Sequence, residues 1–286
     1  MNELYLNGAF VPPEAAHISV MDRGFLFGDG VYEVIPSYGG HFLGLEPHLD
    51  RLDASLAAMR LDAPLAREDW RAVLRRLIGE PPTADQYVYL QVTRGTAPER
   101  DHLCPAGVRP TVLAFAKPIK PRAPAIAEQG VACITHPDVR WLRGDIKSIS
   151  LAAAVLMRRE AADADALETI MHRDGWVTEG AVSNVFVVAG GALMTPPKSR
   201  LLLSGITREL ALTLAREHGL EFVERPVALD TLRAADEIWL SSSTREVLPV
   251  TRLDGELVGD GRPGPLWRRM DALYQDYKAR VRAGHV

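Results

Sequence analysis

The sequence predicts two domains of mixed helices and strands, of the α+β or α/β kind and without a doubly wound sheet. Three observations predict this. The chain has 286 residues, 47% of them hydrophobic, enough for two cores of ordinary size. Strand-like and helix-like segments alternate without a regular βαβ rhythm. Residues 118–124 carry three prolines in seven positions. Proline removes amide donors and restricts the residue before it, so this stretch reads as a linker. The expected division is 1–118 for the N-terminal domain, 119–124 for the linker and 125–286 for the C-terminal domain.

The elements follow in order. Residues 4–10 read as a hairpin turning at Asn7-Gly8. Residues 21–30 are a loop punctuated by glycine, residues 31–37 a strand, and residues 41–45 its partner beyond Gly39-Gly40. Leu49, Leu52, Leu56 and Met59 recur at helical spacing and predict a helix over 47–60. Trp70, Val73, Leu74 and Leu77 predict a second over 67–78. Strands are expected at 87–93 and 111–117, with a loop over 94–102 between them. In the second half, strands are expected at 131–135, 167–171, 177, 184–188 and 237–240. Helices are expected at 150–162, 205–218 and 265–282.

Charge and cysteine usage exclude several classes. The chain has 33 basic and 37 acidic side chains, for a net charge of −4, which argues against a nucleic-acid binder. Two cysteines, Cys104 and Cys133, exclude a disulfide framework, and no His or Cys spacing suggests a metal. No apolar stretch is long enough to cross a membrane, and the N-terminus has no leader pattern, so a reducing cytoplasm is the expected location.

The stretch 140–184 carries the chemistry. Lys147 precedes a helix-like run and Glu179 follows a short strand-like one. A lysine able to form a Schiff base, with a carboxylate to keep a pyridine nitrogen protonated, is the pair a pyridoxal phosphate enzyme needs. That cofactor also needs a phosphate cradle. Ser204-Gly205-Ile206-Thr207 opens a helix, and Ser242-Ser243-Thr244 ends a strand. Arg51 offers a charge-assisted contact. For a substrate carboxylate, Arg100 and His102 stand two apart, a spacing that turns both side chains the same way on an extended segment. Tyr32 opens a strand directly after Gly28-Asp29-Gly30. Taken singly, each has an ordinary account as a helix cap, a solvated turn, a surface charge or a core aromatic.

Together the segments carry a resemblance. Asp22-Arg23-Gly24, Phe27 to Val34, His48 to Leu52, Asp145-Ile146-Lys147-Ser148, Thr178-Glu179-Gly180, Ser183-Asn184 and Gly205 to Arg208 occur in that order. The chain resembles the class IV (fold type IV) pyridoxal-phosphate-dependent aminotransferases over nearly its whole length. Within them the pattern is nearest the D-amino-acid enzymes. The lysine motif is Asp-Ile-Lys-Ser, the strand reads Val31-Tyr32-Glu33-Val34, and Arg100-Asp101-His102 matches an Arg-x-His carboxylate trap. Glu99 stands as an extra residue in that loop, and Ala181-Val182 replace serines.

The resemblance implies a two-domain fold with the cofactor in the interdomain cleft and a homodimer with shared active sites. It implies Lys147 as Schiff-base lysine and base, and Glu179 on the pyridine nitrogen. Arg51, Ile206, Thr207, Ser242 and Ser243 would hold the phosphate, and Leu203 would pack on the ring. Tyr32, Val34, Arg100 and His102 would bind substrate, the last two from the neighbouring subunit. The implied reaction moves the amino group of a D-alanine-like D-amino acid to 2-oxoglutarate, giving a keto acid and D-glutamate. A branched-chain L-aminotransferase and an aminodeoxychorismate lyase are the alternatives of the same fold, and a non-catalytic pyridoxal-phosphate-binding protein is the alternative outside catalysis.

Overall fold

Alternation along one strand decides what the first unit buries. In the computed structural model, which describes residues 3–79 and 84–286, β1 (Leu4–Leu6) and β2 (Ala9–Val11) form the hairpin. They are followed by α1 (Arg23–Phe27), β3 (Gly30–Tyr38), β4 (His41–Phe42), α2 (Leu45–Ala58), α3 (Arg67–Ile78), β5 (Gln86–Thr93) and β6 (Thr111–Pro118). These strands make an antiparallel sheet in the order β2-β1-β6-β5-β3-β4. Val31 and Ile35 of β3 point to the face covered by α2 and α3, where Leu49, Leu52, Leu56, Trp70 and Leu74 complete a core. Each fully buried leucine contributes about 1.5–3 kcal/mol. By the same parity Glu33 points into that core, while Tyr32 and Val34 line the other face.

The second unit contains α4 (Pro124–Gln129), β7 (Val131–Pro137), α5 (Ala152–Asp163), β8 (Glu168–Arg173), β9 (Trp176–Gly180), β10 (Asn184–Ala189) and β11 (Ala192–Thr195). It continues with α6 (Ile206–Glu217), β12 (Phe222–Glu224), α7 (Leu229–Arg233), β13 (Glu237–Ser242), β14 (Glu246–Leu253) and β15 (Glu256–Leu257), and α8 (Pro265–Arg282) ends the chain's regular structure. Its sheet runs β12-β11-β10-β13-β14-β7-β8-β9, with β15 on β14. β7 is parallel to both β14 and β8, so the sheet is mixed. Val185, Val187, Ile238, Leu240, Leu248 and Val250 form its core.

Four expectations change. The loop over 21–30 contains α1, capped by the Asp22 side chain at the Gly24 amide (2.8 Å) and ended by Gly28 at φ 65°. α2 starts at Leu45, not at Pro47, because a first-turn proline gives up an amide that would have no intrahelical partner. The strand expected over 41–45 therefore shrinks to two residues. β14, with Pro249 inside it, is a strand beyond those expected.

The fourth change is a correction to the domain boundary. The first unit holds the chain through Lys120, as the proline stretch suggests, but also Ile146–Leu151 and Lys278–Val286. Ile146 lies in the core of that unit, and Ser148 forms a bridge with Val31. Long-range strand pairing thus draws the lysine segment out of the half of the sequence in which it is encoded. Among the described residues no helix is long and apolar enough to cross a membrane.

Candidate active site

Lys147 is held by its backbone on the free edge of β3. Its carbonyl accepts from the Tyr32 amide (3.0 Å), its own amide donates to Ser55 Oγ (3.3 Å), and Ile149 N–H donates to Gly30 O (3.0 Å). With the main chain pinned on both sides, the half-buried side chain lies along the Tyr32 face of the sheet, Nζ 4.2 Å from the ring centroid. Tyr32 stacks on Tyr89 (5.7 Å), and Tyr89 stacks on Phe115 (5.1 Å). Burial, with Tyr32 beside it, pushes the Tyr89 phenol up to about 12, so it stays protonated and donates to Gln91 (2.7 Å).

Behind this face is a buried polar group that sequence reading missed. Glu33 is fully buried and is gripped by Arg51 through Nε and Nη2 (2.7 and 2.8 Å) and by His48 Nδ1 (2.8 Å). The three-residue spacing of His48 and Arg51 places both on one side of α2. That spacing, with the core-facing parity of Glu33, was the available signal. Burial alone would raise the Glu33 carboxyl, but the Arg51 charge and hydrogen bonds, with His48, hold it well below the usual range. Burial keeps the His48 imidazole below its ordinary value, against the pull of Glu33.

A stability prediction follows with a definite sign. Both groups titrate lower when folded, so each contributes above its unfolded pKa and loses that contribution as pH falls. The protein should weaken from about pH 6.5 downward through His48 and from about pH 4.3 through Glu33. Glu33→Gln leaves a buried guanidinium short of its partner and should cost about 3 kcal/mol at pH 7 in urea melts. The penalty should shrink below about pH 4; a constant penalty down to about pH 3 would show that charge is not its cause.

Arg100 and His102 meet over one ring. The Arg100 guanidinium lies 4.9 Å from the Phe27 centroid and the His102 ring 5.4 Å from it. Both side chains are exposed. The loop is fastened to α1 by the buried Arg23, which donates to the carbonyls of Asp101 and His102.

In the second unit Glu179 is buried and accepts from Arg140, from Asn184 Nδ2 (3.1 Å) and from the Leu203 amide (3.0 Å). Arg140 is itself oriented by Asp138, with Nε and Nη2 at 3.0 and 2.9 Å. Burial would raise the Asp138 carboxyl, but the Arg140 hydrogen bonds and charge lower it. Asn184 also donates to Leu203 O (2.8 Å), so it fastens Leu203 beside the carboxylate. Gly205 caps α6, and a Cβ there would stand 2.0 Å from Asn184 Oδ1, so only glycine admits this approach. Ile206 and the buried Thr207 begin α6, where the first-turn amides have no intrahelical acceptors. Ser242 ends β13, Ser243 lies in the turn to β14, and Asn184 pairs with Ser241. Arg140 and Asn184 take their roles from partners 5 to 61 positions away, whereas Asp138 orients Arg140 from two positions away.

These groups fit pyridoxal phosphate by chemistry. In the first unit Lys147 is an amine of the kind that cofactor needs; in the second, a buried carboxylate with fixed donors suits a ring nitrogen and a helix start suits an anion. Ser241 Oγ is buried without a hydrogen-bond partner among the described residues, in line with a polar group at that turn.

The comparisons show the family. Residues 30–253 match the family model for amino-transferase class IV. The D-alanine aminotransferase of Bacillus licheniformis is 41% identical over 274 residues, covering 96% of each chain. Among solved structures, the branched-chain amino acid aminotransferase from Escherichia coli has TM-score 0.87 at 26% identity, covering 100% of this chain and 95% of its own. The T.th. branched-chain amino acid aminotransferase, solved with pyridoxamine 5'-phosphate, has TM-score 0.91 at 25% identity, covering 99% and 96%.

Proposed function

The chain belongs to the class IV aminotransferases, and on that premise we propose that it is a pyridoxal-phosphate-dependent D-amino-acid transaminase. It moves the amino group of a D-alanine-like substrate to 2-oxoglutarate, giving a keto acid and D-glutamate. The observation that carries the reading is the Arg100–His102 pair gathered on Phe27, a ready carboxylate binder. The D-alanine aminotransferase at 41% identity supports the same reading.

When bound, pyridoxal phosphate supplies an aldehyde that captures the amino group and a cationic ring that withdraws electrons. The residues divide the remaining work. Lys147 Nζ holds the cofactor, then takes the substrate's α-proton and later returns a proton. Glu179, kept in place by Arg140 and Asn184, holds a proton on the pyridine nitrogen. Arg51, Ile206, Thr207, Ser242 and Ser243 would hold the phosphate, and Leu203 would give the ring an apolar neighbour. Arg100 and His102 grip the substrate carboxylate, with Tyr32 and Val34 beside it. We further propose a homodimer in which Arg100 and His102 serve the partner's lysine. Two free cysteines suit a reducing cytoplasm.

The test is substrate choice. With 2-oxoglutarate as acceptor, D-alanine should react at least about 100-fold faster in kcat/KM than L-leucine or L-valine, the scale set by one charge-assisted contact. Faster turnover of the L substrates would move the protein to the branched-chain class.

A further inference from the structure

Arg23 is a buried cation that the proposed chemistry does not use. Its side chain is 5% exposed and every nitrogen has an acceptor: Nε donates to Asp29 (3.0 Å), Nη1 to Asp101 O, and Nη2 to His102 O (3.0 Å). Asp29 is shared with Arg94, which reaches it through Nε and Nη2 (2.7 and 3.0 Å). Each nitrogen of the Arg23 guanidinium is therefore engaged, with three of its five N–H groups donating and its charge set against a carboxylate shared with Arg94.

Its position has a consequence for the two residues it flanks. Arg100, Asp101 and His102 are exposed in an irregular loop, where side chains ordinarily sample many rotamers. Arg23 clamps two consecutive carbonyls of that loop, and its amide donates to Gly95 O (2.9 Å) at the loop's start. The same short helix carries Phe27, whose ring has the Arg23 guanidinium at 4.7 Å, Arg100 at 4.9 Å and His102 at 5.4 Å. The intervening Asp101 turns its carboxylate to the Leu103 amide (3.0 Å), so the negative charge between the two binders is occupied locally.

We propose that Arg23, acting with Phe27, is a positioning residue that pre-forms the Arg100–His102 pair for a substrate carboxylate. This rests on the reading of that pair as the carboxylate binder. Ordering the loop before substrate arrives removes that cost from each binding event, so affinity for the carboxylate depends on a residue that never touches it. A fork is required: lysine keeps the charge but cannot span two carbonyls and Asp29 at once.

The experiment uses the holoenzyme and propionate, the D-alanine skeleton without its amino group. The inhibition constant is measured against D-alanine for wild type, Arg23→Lys, Arg100→Ala and the double variant, with the pyridoxal phosphate dissociation constant alongside. Arg23→Lys should raise the inhibition constant about tenfold, add less than about twofold in the Arg100→Ala background, and leave cofactor affinity unchanged. Phe27→Leu, which keeps apolar bulk and removes the ring face, should behave alike and replaces Arg23→Lys if that variant does not fold. An unchanged constant in Arg23→Lys or Phe27→Leu, with Arg100→Ala weakened, overturns the positioning role and spares the carboxylate reading. Equal effects with and without Arg100, or a parallel loss of cofactor affinity, assign the variants a general structural role and also overturn it. An unchanged constant in Arg100→Ala overturns both.

Discussion

Lys147→Ala should abolish transamination, lowering kcat by at least about a thousandfold, because in the proposed roles it removes both the covalent anchor and the base. The other lysines with described contacts are engaged elsewhere. Lys117 lies over Phe115, Lys278 over Tyr38, and Lys198 pairs with Glu209 at 2.7 Å. Lys147 is set beside Tyr32 by backbone bonds that do not depend on its side chain, so the alanine variant should fold normally. Borohydride reduction of the wild type with pyridoxal phosphate should leave the phosphopyridoxyl group on the peptide containing Lys147, and Lys147→Ala should give no labelled peptide. Label on any other lysine, or near-normal turnover by the variant, would refute the assignment.

Mixing an inactive variant with a severely weakened one should bring activity back. Arg100→Ala alone should be severely weakened, since a charge-assisted contact contributes about 1.5–3 kcal/mol. If Arg100 serves the partner's lysine, a dimer of one Lys147→Ala and one Arg100→Ala chain has one site with both defects and one with neither. Random mixing makes about half the dimers mixed, so about a quarter of wild-type activity should return on co-refolding equal amounts. If Arg100 serves its own subunit, each site keeps one defect and mixing restores nothing. Mass measurement of the mixed dimers makes a lack of recovery decisive against the shared site.

Local chemistry makes much of this protein legible in its sequence. Helical spacing placed α3 at Arg67–Ile78 and α8 at Pro265–Arg282 without adjustment, and Asn7-Gly8 marked the first hairpin. Each signal lies within one or two turns of chain, where side-chain periodicity and backbone preference act directly. Lys147, Glu179 and the ordered motifs around them marked a family, which the comparisons bear out.

What was not legible depended on partners distant in sequence. Nothing near Lys147 says that Ile146–Leu151 leaves its neighbours to pair with β3, because that pairing exists only once the edge of β3 has formed. Arg140 gains meaning from Glu179, Asn184 from Leu203 and Gly205, and Glu33 from Arg51 and His48. Arg23 is read as one charge in a loop until Asp101 and His102 are carried back to it. A buried charge is costly unless its hydrogen bonds are met, and only the folded chain brings the groups that meet them. Periodicity could therefore write the elements, while the identity of the residues that hold the chemistry in place was decided by which distant donors and acceptors tertiary packing made neighbours.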